Sequence, residues 1–199
     1  MNVKRNKHAE RSEATRAALV AAARPLFAER GFAGVGTEEI VRAAGVTRGA
    51  LYHQFADKRE LFAAVFEQVE AEVTMSTARA AVASGAADPL AALRVGAVAW
   101  LDACSDPEIQ RVILLDGPAV LGWDAWREIA MRYGLGLVEN ELREAIEAGV
   151  LEPQPTRALA HVLMGAIDEA ALYVATAEDQ AAARAEAGAV LDRLLAVLR

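Results

Sequence analysis

Lysine is almost missing from this 199-residue chain, and none follows Lys58. Cysteine is rarer still: Cys104 stands alone, so no disulfide can close within the chain and nothing favours an oxidising compartment. Apolar runs such as Ala80-Ala81-Val82-Ala83 are far short of the roughly 20 residues that a membrane span needs, so none is expected. The basic start, Met1 to His8, has no apolar stretch behind it and does not read as a secretory signal. There is no P-loop, no G-x-G-x-x-G, no His-Glu-x-x-His and no nucleophile elbow, and one Cys with three scattered His offers no metal-ligand spacing. The expectation is a cytoplasmic protein that is not an enzyme, with no metal, no cofactor and no membrane partner.

What is present is unevenly placed. The formal net charge of −7 would argue against a polyanionic partner. Residues 1–60 hold 11 Lys and Arg against 7 Asp and Glu, a balance of +4, whereas residues 61–199 hold 10 against 21, a balance of −11. The chain therefore divides into a basic module, 1–60, and a larger acidic one, 61–199.

Apolar residues recur at helical spacing throughout and no alternating strand pattern stands out, so the fold class is all-α. A first helix is predicted from about Ser12 to Arg30, with Leu19, Ala22, Ala23, Leu26 and Phe27 on one face, Pro25 inside it and Gly31 closing it. Thr37 is read as the N-cap of a short helix ending at Gly45, and Thr47 as the cap of the next. Asp57-Lys58-Arg59-Glu60 is a capping box for a long fourth helix that runs to Ser84-Gly85 and links the two modules. Further helices are predicted at 89–103, 107–115, 123–148, 156–175 and 178–198, separated by Pro, Gly and Asp signals that include an Asp116-Gly117-Pro118 turn.

The informative stretch is Thr37 to Phe55. Two short helices joined through Gly45, with Ile40, Val41, Ala44, Val46, Leu51 and Phe55 spaced to pack together, form a helix-turn-helix whose second helix can enter the major groove of DNA. Arg48 can bond guanine edges or hold a phosphate, Thr47 offers a hydroxyl, Tyr52 and His53 offer polar rings, and Gly49 permits close approach. Lys58 and Thr37 stand at helix starts that favour phosphate. Tyr52 can alternatively be a core aromatic, and the tail with Lys4, Arg5, Lys7 and Arg11 can track phosphates or be disordered.

Over Ala14 to about Phe66, and best over Gly45-Val46-Thr47-Arg48-Gly49-Ala50-Leu51-Tyr52-His53-Gln54-Phe55-Ala56-Asp57-Lys58-Arg59-Glu60-Leu61-Phe62, the chain resembles the TetR family of transcriptional repressors. The resemblance implies a three-helix DNA-binding domain followed by a helical domain that dimerises and binds an effector. It implies that the DNA-contacting positions fall on Thr37, Thr47, Arg48, Gly49, Tyr52, His53 and Lys58. The partners expected are double-stranded DNA carrying a near-palindromic operator, a small-molecule effector and a second copy of the chain.

In the acidic module the last two helices carry wide apolar stripes, Leu159, Val162, Leu163, Ala166, Ala170, Tyr173 and Val174, then Ala187, Val190, Leu191, Leu194, Leu195 and Leu198. Pairing with their symmetry mates would make a four-helix interface; packing within one subunit is the alternative. Trp100, Cys104, Trp123, Trp126, Tyr133, His161, Met164 and Asp168 are the candidates for an effector pocket among the middle helices. The contrasting reading of the whole chain is an all-α small-molecule-binding protein or enzyme without DNA-binding activity.

Overall fold

The computed structural model describes residues 3–198, with side chains from residue 9 onward. Among these the elements are helical: α1 (Val3–Arg30), α2 (Thr37–Ala43), α3 (Arg48–Gln54), α4 (Lys58–Ala83), α5 (Pro89–Ala103), α6 (Pro107–Ile109), a π-helical segment (Gln110–Asp116), α7 (Gly117–Leu121), α8 (Trp123–Glu147), α9 (Thr156–Thr176) and α10 (Gln180–Ala196). The all-α expectation holds. Helix α1 starts well before Ser12 and continues through Pro25. The side chains of Lys4, Arg5 and Lys7, invoked as a DNA-tracking arm, lie outside the described residues, while Arg11 is exposed on the helix.

The predicted caps explain where the helices begin. Thr47 Oγ1 accepts from Ala50 N at 3.2 Å, Asp57 Oδ1 from Glu60 N at 2.8 Å, and Asp88 Oδ1 from Ala91 N at 2.9 Å. Glu60 reaches back as a capping box requires, but to Ala56 N at 2.6 Å, one residue earlier than the cap itself. Thr37 is a correction: Gly36 holds the extended N-cap position without a side-chain bond, and Thr37 is the first helical residue of α2. Gly31 and Gly45 take positive φ at the ends of α1 and α2, where a side chain would be strained.

Helices α2 and α3 pack on α1 and on each other, and α1 packs along α4. Leu19, Phe27, Ile40, Leu51, Phe55, Leu61 and Phe62 are fully buried there, and the rings of Phe27 and Phe62 meet edge to face at 5.3 Å. This core does not stop at residue 60. It runs on through Phe66, Leu101, Val112, Trp126 and Leu191, so head and body share one continuous apolar cluster. A second cluster around Leu93, Leu142, Leu163 and Leu195 fills the far end of the body.

Two expectations change in the middle of the chain. Residues 110–116 wind as a π-helix that continues directly into α7, so Asp116-Gly117-Pro118 joins two helices where a break was expected. Helix α9 is, by length and composition, long and apolar enough to cross a membrane. In the fold it packs against α8 and α10, with Leu163, Met164, Ala171 and Val174 buried.

Candidate nucleic-acid interface and ligand cavity

The tight turn through Gly45 lets Ile40, Val41 and Leu51 bury against α1, and the period of α3 then aims its other side at solvent. Thr47, Arg48, Gly49, Tyr52 and His53 are all exposed, on one short helix and its cap. Tyr52 is 43% exposed, which settles its orientation: it is not a core aromatic. Thr47 spends one oxygen lone pair on its capping bond and keeps its hydroxyl proton to donate.

Charge around this face is already partnered. Arg48 Nη1 donates to Glu38 Oε1 at 2.8 Å, and its guanidinium stands 5.6 Å from the Tyr52 ring centroid. Glu39 pairs with Arg30 at 2.6 Å, and that bond holds the Arg30 pKa above its ordinary value. The two glutamates thus serve basic side chains of the head as well as the start of α2. Both members of the Arg48–Glu38 pair are about two-thirds exposed, so the pair is worth little and can open for a phosphate or a base.

Lys58 behaves differently from the other six. Its Nζ donates to the carbonyls of Phe32 at 2.8 Å and Val35 at 2.9 Å and lies 4.0 Å from the Phe32 ring centroid. The ammonium ties the α1–α2 loop to α4, leaving one of its three donors uncommitted to that loop. Sequence reasoning missed Arg42, which is exposed near the end of α2 and forms no ion pair among the described residues. Its charge was visible, but its position next to α3 needed the fold.

Head and body are bolted together at the segment whose purpose the sequence left open. Asp116 Oδ2 accepts from Phe32 N at 2.6 Å, and Arg59 donates to the carbonyls of Val120 at 3.0 Å and Leu121 at 2.7 Å. Arg24 adds a two-pronged bond to Glu108, 2.8 Å on each prong, and a 2.6 Å bond to Glu72.

In the body, α4, α5, α8 and α9 line a cavity of about 200 Å³ that opens to solvent past Val82 and Leu137. Of the eight residues expected to line a pocket, Trp100, Met164 and Asp168 do so. Five do not. Trp126 is core, its Nε1 donating to Ile113 O at 3.0 Å. Trp123 is exposed at the start of α8, Tyr133 bonds Glu67 at 2.9 Å outside the cavity, and His161 faces solvent on α9. Cys104 is buried beside Asp168 and Glu70 but off the wall, with its thiol pKa pushed up by burial first and then by both carboxylates, so it stays protonated and inert.

The main omission was α4. It read as a linker, yet Glu70, Thr74, Thr77, Ala78, Ala81 and Val82 all line the cavity. Glu70 is only 3% exposed; burial, then repulsion from Asp168, push its pKa up to about 8, against a weak opposing bond from Thr74. Burial likewise raises Asp168 to about 6, partly offset by Arg127 at 3.9 Å. A glutamate on an apolar helical stripe was the available signal.

Residues 19–65 match the family described as bacterial regulatory proteins, tetR family, and residues 90–198 match the tetracyclin repressor-like C-terminal domain. The Transposon Tn10 TetC protein of Escherichia coli is 27% identical over 161 residues, covering 81% of this chain and 80% of that protein. A crystal structure of a TetR-family transcriptional regulator from Pectobacterium atrosepticum is 36% identical with a TM-score of 0.85, covering 95% of this chain and 96% of that one. RolR, solved in complex with the ligand resorcinol, is 25% identical with a TM-score of 0.68, covering 94% and 89%.

Proposed function

The chain belongs to the TetR family and is a DNA-binding transcriptional regulator, and from that premise we propose that it acts as a homodimeric repressor that a small molecule in the α4–α5–α8–α9 cavity releases from its operator. The observation that carries the reading is one molecule holding both parts: an outward-facing Thr47–His53 surface on a helix-turn-helix, and a half-open, mainly apolar cavity whose wall includes α4. Thr47, Arg48, Gly49, Tyr52 and His53 read the groove, Thr37 and Arg42 meet the backbone beside it, and Lys58 supports the loop while offering its remaining proton to a phosphate. The module from residue 61 onward dimerises and takes the ligand, and the protein works in the cytoplasm, where its operator is.

Helix α4 connects the two parts. Its first turn holds the head's loop through Lys58 and α7 of the body through Arg59, and its later turns supply Glu70, Thr74 and Thr77 to the cavity. A ligand that re-seats those later turns shifts the head through the same rigid helix and through the Asp116–Phe32 bond. By linkage, the ligand binds the DNA-free form more tightly by the factor it weakens DNA binding. That RolR is solved with resorcinol supports a small-molecule role for a cavity in this fold.

The test is selection of bound DNA from random fragments. Near-palindromic sites with half-sites about 34–36 Å apart, or a multiple of that, are expected. Arg48→Ala should then lose roughly 1–3 kcal/mol on the selected site with relaxed specificity at one base pair per half-site. Unchanged affinity and specificity would remove α3 as the reading helix.

A further inference from the structure

The cavity wall is chemically one-sided. Its ionisable residues are Glu70, Glu141 and Asp168; among the described residues no Lys, Arg or His lines it, and the rest is apolar apart from Thr74, Thr77 and the indole of Trp100. Three polar atoms in it are buried without a hydrogen-bond partner: the carboxyl oxygens Glu70 Oε2 and Asp168 Oδ2, and one donor, Trp100 Nε1, which is free to meet an electronegative group on the ligand's body. Glu70 has only Thr74 Oγ1, at 3.5 Å from its other oxygen. Arg127 approaches Asp168 to 3.9 Å, an ion-pair distance beyond hydrogen-bond reach. Two acceptors, on α4 and α9, are thus left open at the buried end of a mainly apolar cavity, where an unmet polar group is costly.

We propose that this cavity takes an organic cation: a compact, mainly apolar molecule bearing a protonated amine, with the ammonium held between Glu70 and Asp168 and the body against Trp100, Leu137 and Met164. The proposal rests on reading the cavity as the effector site and adds the class of effector. An ammonium supplies donors to both open acceptors and cancels the repulsion between the two carboxyl groups. A carboxylate or phosphate ligand meets the Asp168 carboxylate and finds no Lys, Arg or His on the lining among the described residues. Size sets the other limit: a cavity of roughly 150 Å³ holds benzene, so about 200 Å³ suits a single ring with a short amine arm. Glu141, at the same wall and half-buried, extends the acidic lining toward the outside and gives an entering cation a favourable path.

Calorimetry on the DNA-free protein with phenethylamine, phenethyl alcohol and 3-phenylpropionate tests it, since the three share a ring and differ in charge. Phenethylamine is expected to bind at least about tenfold more tightly than the alcohol, and 3-phenylpropionate not at all. In Glu70→Gln and in Asp168→Asn, both near-isosteric, the preference should fall to within about threefold in variants whose circular dichroism shows the wild-type helix content. Equal or tighter binding of the alcohol, binding of the carboxylate, no binding of any probe, or a preference that survives both substitutions would overturn the proposal. Release of operator DNA is measured separately. Phenethylamine that binds with the expected preference but leaves DNA binding intact supports the ligand class and removes the effector reading instead.

Discussion

Glu70 shows how much one side chain can carry. It sits on α4 among residues that bury apolar surface, and no cation of the described chain reaches it. A carboxyl whose pKa is higher in the folded state than in the unfolded chain holds an extra proton when folded, so stability is greatest below that window and is lost as pH rises through it. For Glu70 the window runs from its ordinary 4.5 to about 8, and for Asp168 from 3.8 to about 6. The ligand-free protein should therefore lose stability between about pH 4 and 8. Glu70→Gln should flatten the upper half of that slope and raise stability at pH 9 by on the order of 1–3 kcal/mol, read from urea midpoints across pH. A substitution that destabilises equally at pH 5 and pH 9 would show that the carboxyl is not titrating in this window. The residues of the DNA face were legible because helix period and chemistry place them outward together. Pocket residues were not, since a Trp or Tyr side chain has the same identity whether it lines a void, as Trp100 does, or fills the core, as Trp126 does.

At the level of elements, the π-helical segment and α7 are where sequence signals fell short. Asp-Gly-Pro is ordinary turn chemistry, and nothing local says that residues 110–116 wind wide and hand over directly to another helix. Packing explains the glycine. A Cβ on Gly117 would lie 2.8 Å from Phe66 Cε2, 2.9 Å from Trp126 Cδ1 and 3.1 Å from Val112 O, all fixed parts of the core. Its backbone is right-handed helical, so Gly117→Ala gains up to about 1 kcal/mol of helix propensity, while overpacking costs about 1–3 kcal/mol. The clash wins because Phe66 is fully buried and Trp126 nearly so. The expected result is a net loss of about 1–2 kcal/mol in urea unfolding, together with weaker operator binding, because the shift falls on the residue next to Asp116, which anchors the head. An unchanged midpoint would mean that the rings relax freely.

For the whole molecule, the stripes on α9 and α10 divide into two faces. Leu163, Val174, Leu191 and Leu195 turn inward, whereas Val162 is 65% exposed, Val190 54%, and Tyr173 and Leu194 also face out. Tyr173 Oη donates to Glu186 at 3.0 Å, tying the two helices into one outward surface. An apolar surface of this kind is the expected seat of a second copy. Sedimentation at micromolar concentration should give a dimer for the wild type and a monomer for the Val162→Glu, Val190→Glu double variant. Both sites are exposed in one subunit, so monomer stability should change by no more than about 0.5 kcal/mol per site. Operator affinity should fall by at least about tenfold as the paired heads separate. A wild-type monomer that binds the operator tightly would overturn the dimer.

Sequence alone determined most of the helices and their caps, the helix-turn-helix and which side of α3 faces outward, because each follows from contacts within a few residues: a period, a cap, a glycine at positive φ. It also located the positive charge, since the balances of +4 and −11 are additive along the chain. Only the tertiary structure decided that head and body share one core, that Lys58 spends two of its bonds on a loop, that α4 forms a wall of the cavity, and that two carboxyl groups 98 positions apart in the chain face the same void. Those outcomes depend on which faces of distant helices meet, and that is set by the packing of all of them at once.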